Sequence, residues 1–358
     1  MQPAADFRES VIRRRDAAVK FNEDRPRRNR KEALDFYNGK NLALYGDSGD
    51  GLSTVVSRDV MEAIEGVMPP LLRPFVAGEE VVSFDPVEES DTAGAKQATA
   101  YVNHVFRRHN NVLHVAQNAL KDGLLFRKGV AKTVVEEDAD GEAESYDGLQ
   151  PDEMESLRGD LAGQSRDIAG DISQDPETGL MSGMVPPKTR KRYRVHIVAP
   201  DEFLYEERLA CLDDGVFFGH RKRITLADLI DMGIDPAKAK ELDSRKPEGE
   251  EEDRARFNDE TDQGDDYAKD DLARPVWVDE CYARTDYEGN GVLVWRKALL
   301  GGAHNTLLSD EAADGNPYST WTPIPMPHKL TGLSMFDITR DIQIFRPAMI
   351  MIARDFSI

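Results

Sequence analysis

Residues 57–86 read SRDVMEAIEGVMPPLLRPFVAGEEVVSFDP, and this stretch decides how the rest of the chain is read. Ser57 is placed to cap exposed amide groups, and Asp59 favours the positive end of a helix. Val60, Met61, Ile64, Val67, Met68 and Leu71 recur at three- and four-residue steps, which predicts one apolar helix face. Pro69 and Pro70 lack amide donors and are expected to stop or kink that helix. Leu71, Leu72 and Phe75 extend the apolar surface, and Gly78 turns the chain. Val81 to Phe84 then reads as a short strand ending before Pro86. The pattern describes a core helix packed on a strand, within an α+β fold.

Working outward, the chain has 358 residues and a formal net charge of −21, with 32% charged and 40% hydrophobic residues. Such a chain holds two or three domains and a substantial core. Nowhere do about 18 apolar residues run together, so no membrane span is indicated. The N-terminal MQPAADFRESVIRRRD has charge without an apolar core behind it and does not read as a signal peptide. Cys211 and Cys281 cannot build a disulfide framework, which points to a reducing compartment. Strong acidity argues against ordinary tight phosphate binding, but not against a surface past which nucleic acid slides.

Residues 5–38 read as a helix broken once, at Pro26. Phe7, Val11, Ile12 and Val19 share a face beside Arg13, Arg14 and Arg15. This basic region is expected to be a solvated helix face, with contact to an acidic partner or nucleic acid as the sharper reading. Gly46 to Gly51 is glycine-rich but lacks the Gly-Lys-Ser/Thr ending of a phosphate cradle. Its Gly-Asp-Ser-Gly start resembles the nucleophile loop of trypsin-like proteases. That chemistry needs a histidine and an aspartate ahead of the serine, and no histidine precedes Ser48, so the segment reads as a loop. Between Asp91 and Asn118 the helical pattern returns, with a stripe of Ala95, Ala98, Tyr101, Val102, Val105 and Phe106. His104, His109 and His114 lie five apart, whereas paired helical zinc ligands need a four-residue step. No metal or cofactor is expected.

Asp, Glu, Gly, Ser and Pro dominate residues 137–188, which read as a mobile or loosely folded acidic excursion. Strands are expected at Tyr193–Val198 and Phe217–Arg223, followed by a short helix over Leu226–Met232, capped by Thr225 and ended by Gly233. A second acidic linker covers 244–274. Val276–Ala283 and Gly291–Ala298 form a hairpin around Asp286–Gly291. That turn begins like a calcium loop, but Lys297 stands where a bidentate glutamate belongs. A Pro-rich strand over 323–328 leads to Gly332-Leu333-Ser334 and a helix from about Met335.

Six blocks in this order resemble the portal proteins of short-tailed double-stranded DNA bacteriophages. They are the opening stretch; Tyr101–Phe106 with Lys121–Leu125 and Gly129–Lys132; Pro200–Leu204; Gly219–Arg223; Thr225–Leu229; and Pro323 through Asp341-Ile342-Gln343. The resemblance covers most of 54–358 apart from the acidic segments. It implies a portal-type wing of helices on small antiparallel sheets, leading into an amphipathic stem helix, with the chain stopping before clip and crown. The implied segments are a charged helical arm (1–53), wing helices and strand (54–136), the acidic insertion (137–188), a wing β/α part (189–243), the linker (244–274), the hairpin part (275–330) and the start of the stem (331–358). Phe336, Arg340, Asp341, Ile342, Gln343, Phe345, Arg346 and Met349 are then candidates for stem and subunit contacts. Phe336, Ile342, Phe345, Met349 and Ile352 are expected on one buried face. Pro347 sits where the family carries a small helix former and is expected to kink the helix. The implied role is structural, not enzymatic: a ring at one capsid vertex, conducting duplex DNA without sequence preference. Its implied partners are copies of itself, the terminase large subunit, major capsid and scaffolding proteins, and tail or neck adaptors. Its place is the virion, reached by assembly in host cytoplasm, with no membrane contact. A head–tail adaptor or tail structural protein is the alternative.

Overall fold

The computed structural model describes residues 3–40, 56–78, 80–140, 144–163, 169–174, 179–185, 187–242, 272–302 and 305–355. The Gly46–Gly51 loop and nearly all of the acidic segment 244–274 lie outside them. By internal contacts the chain divides into two units, one made of residues 1–81, 111–132 and 195–358, the other of 82–110 and 133–194.

The first unit opens with the helices α1 (Pro3–Glu23), α2 (Arg25–Asn38), α3 (Asp59–Ala77) and α5 (Val112–Phe126), α4 (Thr92–Arg108) belonging to the second unit. The single expected break is present but sits at Asp24 rather than at Pro26, which falls in the first turn of α2, where its missing amide costs no hydrogen bond. Helix α3 continues through Pro69, Pro70 and Pro74 to Ala77. The expected stop does not occur because all three prolines lie on the exposed side, where water can satisfy the carbonyls they leave unpaired. The opposite side buries Val60, Ile64 and Met68 against Leu120, Leu124 and Leu125 of α5 and Ala33 and Phe36 of α2.

A five-stranded antiparallel sheet in the order β10-β9-β8-β7-β6 forms the other half of this unit. Its strands are β6 (Phe203–Tyr205), β7 (Phe217–Thr225), β8 (Pro275–Thr285), β9 (Val294–Gly301) and β10 (Thr306–Ala312). One face carries α1 through Phe7, Val11, Ala18 and Val19, packed on Phe217, Cys281, Ala283 and Leu300. The other face is covered in two places. Helices α7 (Leu226–Asp231) and α8 (Pro236–Lys240) bury Leu226, Leu229 and Ala239 on Val276, Val278 and Leu299. The start of β1 (Gly129–Asp140), paired with β11 (Tyr318–Trp321), buries Val130 and Tyr318 on Phe203, Phe218 and Tyr282. Thr225 and Asp228 close the expected capping box on α7. In the β8–β9 turn, both Asp286 carboxylate oxygens accept backbone amides, from Asn290 at 3.0 Å and Gly291 at 2.9 Å. The carboxylate thus closes the turn on itself.

The second unit holds α4 (Thr92–Arg108), most of β1, β2 (Glu144–Leu149), α6 (Pro151–Gly163), β3 (Ala169–Gln174), β4 (Met181–Val185) and the first part of β5 (Lys188–Val198). Where a strand is expected at 81–84 there is none: the segment is extended, but its ladder is made with side chains. Val82 donates its amide to Asn103 Oδ1 at 3.2 Å and accepts from Asn103 Nδ2 at 2.7 Å, and the Phe84 amide donates to Thr99 Oγ1 at 2.9 Å. Thr99 and Asn103 are therefore the buried residues of α4, while Tyr101 of the expected stripe is exposed. The described part of 137–188 carries a β2-β4-β3 sheet, and α6 packs Met154 and Leu161 on Val185. It is a folded excursion with a small core, not a structureless one. The expected strand over 323–328 reduces to a single bridge, Ile324 to Leu333.

Candidate functional site

The candidate site is helix α9 (Met335–Asp355) and the seat that holds it. Ser334 opens it. Its hydroxyl donates to Asp337 Oδ2 at 2.8 Å and accepts the Asp337 amide at 3.3 Å, while its own amide donates to Asp337 Oδ2. Arg127, the C-cap of α5, grips the same carboxylate with two bonds of 2.8 and 2.5 Å. Burial works against ionisation of Asp337, but Arg127 and the Ser334 groups outweigh it and hold the carboxyl below its usual value.

The inward face of α9 presents Phe336, Gln343 and Pro347. Phe336 meets Phe36 edge to face, centroids 5.5 Å apart, within the α2–α3–α5 cluster. Gln343 is fully buried. Its Oε1 accepts the Val60 amide at 2.9 Å and its Nε2 donates to the Phe36 carbonyl at 2.8 Å. The start of α3 is thus capped from α9 rather than by Ser57, whose hydroxyl bonds Asp59 instead. Arg340 pairs with Glu32 at 2.6 Å, and Arg346 with Asp59 of α3. The helix continues through Pro347 to Asp355.

The outward face is apolar. Ile338, Ile342, Phe345, Met349 and Ile352 are each between 51% and 68% exposed and recur at steps of four, three, four and three, one stripe of a helix. Phe336 does not belong to this stripe, against expectation, because it lies on the opposite side and is spent on the chain's own core. Gln343 is likewise buried within the chain. Ile342, Phe345 and Met349 remain open, Asp341 is exposed beside them, and Arg340 and Arg346 fasten the helix to its seat.

Elsewhere, the three histidines do not converge. His104 and His109 touch ring to ring at 6.1 Å, while His114 bonds Asn118. Among the described residues no group of His, Cys, Asp and Glu has the arrangement to hold a metal ion, and no helix is long and apolar enough to cross a membrane. Within the basic N-terminal region Arg15 and Arg30 are buried, while Arg8, Arg13 and Arg28 are exposed, as a solvated face would be. Arg15 Nε donates to Asp279 at 2.6 Å, Arg221 donates to the same carboxylate at 2.9 Å, and all three residues are buried. Burial opposes the charge on Asp279, but Arg221 and Arg15 hold its carboxyl below the ordinary range. On the other face of β8, Glu280 takes Lys132 at 2.6 Å and Lys222 at 3.1 Å. Sequence reading missed both clusters. The available signal was Asp279-Glu280 in mid-strand, between Val276-Trp277-Val278 and Cys281-Tyr282-Ala283, since buried carboxylates need cationic partners.

No curated protein matches the chain. A protein family does: residues 8–350 match the phage SU10 portal protein family. That span takes in both units, the five-stranded sheet and most of α9, and the chain accordingly belongs to this family of phage portal proteins, structural components of the virion.

Proposed function

We propose that this chain is a portal subunit whose copies close into a ring at one capsid vertex. Duplex DNA passes through that ring during packaging and ejection, and the packaging terminase and tail or neck proteins dock on it. In this reading α9 begins the stem and the preceding elements make up the wing. The observation that carries it is the two-sided character of α9. One side is locked into the chain by Phe336, Gln343 and three ion pairs. The other leaves five large apolar side chains uncovered, a patch that in a soluble protein marks an interaction surface. Each such side chain, already partly covered, still forfeits about 1–2 kcal/mol to water, so a neighbouring subunit is the natural cover. The net charge of −21 supports a conduit that repels phosphates and lets DNA slide.

Negative-stain microscopy and mass photometry of the full-length protein test this reading. Rings are expected for the wild type. The double substitution Ile342→Ser, Phe345→Ser should yield monomers with an unchanged circular dichroism spectrum. Monodisperse wild-type monomers at high concentration would sink the proposal.

A further inference from the structure

The centre of the five-stranded sheet carries a feature that the portal role does not use. Lys132 of β1, Lys222 of β7 and Lys297 of β9 converge on Glu280 of β8. Their Nζ atoms lie 2.6, 3.1 and 4.0 Å from its carboxylate oxygens. The Tyr282 hydroxyl donates to the same group at 2.8 Å. The cluster lies on the sheet face that carries the α7–α8 lobe and the β1–β11 pair, with Lys132 on the latter. Lys132 is enclosed, but the side chains of Lys222 and Lys297 are 25% and 26% exposed and reach water.

Donors exceed acceptors here. Each ammonium carries three N–H groups. Among the described residues the carboxylate acceptors are Glu280 and one oxygen of Glu311, 3.4 Å from Lys297 at the solvent edge. Lys132 has one carboxylate partner and otherwise faces the rings of Tyr282 and Tyr318, at 5.5 and 5.8 Å. Two further buried atoms beside the cluster lack hydrogen-bond partners: the Tyr318 hydroxyl, on the residue opposite Lys132, and His220 Nδ1, on the residue opposite Glu280. Three positive charges thus meet one buried and one exposed carboxylate. Burial holds Lys132 below its usual value; Glu280 opposes that shift, and Lys222 and Lys297 add to it. An added anion with several acceptor oxygens would relieve both the charge surplus and the acceptor shortage.

We propose that the Lys132–Lys222–Lys297 cluster is a binding site for a single phosphate group, with Glu280 as the post that gathers the three ammonium groups. A phosphate dianion fits better than chloride because it offers separate oxygens to separate lysines. The group can come as free inorganic phosphate or on a nucleic acid strand, and the chemistry recognised is the same. The proposal stands apart from ring formation, and its test does not depend on it.

The test is thermal unfolding of the full-length chain, with inorganic phosphate titrated at ionic strength held constant by sodium chloride. A saturable rise in Tm is expected. Lys222→Gln and Lys297→Gln should each weaken the apparent affinity by about tenfold or more. Lys297→Arg, which keeps the charge, and Lys238→Gln, on the exposed side of α8, should leave it near wild type. Circular dichroism establishes that each variant is folded. A short DNA duplex that displaces phosphate assigns the site to a nucleic acid phosphate, and one that does not assigns it to the free ion. No rise beyond the chloride control, or an equal rise in the two glutamine variants, would overturn the proposal.

Discussion

At the scale of single residues, the buried polar groups carry most of the specificity. Gln343 accepts the Val60 amide and adds a second donor to the Phe36 carbonyl, which the Gly39 amide also reaches. Replacing it by Leu keeps the volume but leaves the Val60 amide without this acceptor, and should cost about 1–3 kcal/mol, read as a fall in the urea midpoint. Asp279 faces two buried arginines, so Asp279→Ala removes the buried carboxylate they share, leaves Arg15 only the exposed Asp16 as an ion-pair partner among the described residues, and should cost about 3–5 kcal/mol in the same assay. The pH dependence follows from the same pair. Asp279 and Asp337 titrate below their ordinary value of 3.8 in the folded chain. The unfolded chain therefore binds more protons in acid, and the stability these groups contribute is full above that value and lost as pH falls through the folded one. Acid unfolding of Asp337→Asn should be less steep below pH about 4 than that of the wild type. None of these pairs was readable in advance, because a pair such as Arg15 with Asp279 is 264 positions apart in the chain. The chain shows the charges, but only the fold shows which of them meet.

At the scale of elements, periodicity guided most of the reading but not the faces of α4 and α9, and proline punctuation misled. The faces of α1 and α3, strand β7, the β8–β9 hairpin and the Thr225 cap follow the spacing of their apolar and capping residues. The prolines of α3 misled, because the cost of a proline depends on whether water can reach the freed carbonyl, and that is a property of the packed helix. The strand expected at Val81–Phe84 misled for a related reason: Asn103 and Thr99 supply the ladder that a partner strand would give. The small core of α6 and the β2-β4-β3 sheet was hidden by composition, since its few apolar residues are scattered among acids. Two glycines in the family-like blocks have a packing reason. A Cβ on Gly123 would come 2.4 Å from the Trp321 indole, and one on Gly129 would come 2.2 Å from the Ala119 carbonyl, which the same indole bonds at 2.7 Å. Gly123→Ala should cost about 1–3 kcal/mol through this overpacking, seen as a lowered Tm with Trp321 fluorescence altered. The deletion of 335–358, which reading α9 as an outlying stem would make harmless, should unfold the α2–α3–α5 cluster. It removes Phe336, the cap of α3 and three ion pairs together. Proteolysis of the truncated chain, set against that of Ile342→Ser, tests this: fast digestion of the first and wild-type resistance of the second are expected.

At the scale of the whole molecule, family membership rests on blocks spread over both units, and their order could be read from the sequence. The split of unit two into residues 82–110 and 133–194 could not, because no local signal marks where two distant segments rejoin. Assembly was legible only in part: the sequence placed an apolar helix at the end of the chain, and the structure divides that helix into a spent face and an open one. Subunit mixing checks that division. Phe336→Ala protomers should fail to fold and so stay out of assemblies, whereas Phe345→Ser protomers should fold and remain as singles. The buried amide of Gln343 has a further consequence, which is rotational. Turning α9 by one residue step, about 100°, would carry that side chain away from both of its partners. The azimuth of the open stripe is therefore keyed to the ends of α2 and α3. In a closed assembly built on that stripe, azimuth sets the angle between successive protomers, and that angle sets how many fit around the circle. A side chain that never meets a neighbour would then govern how tightly the circle curves.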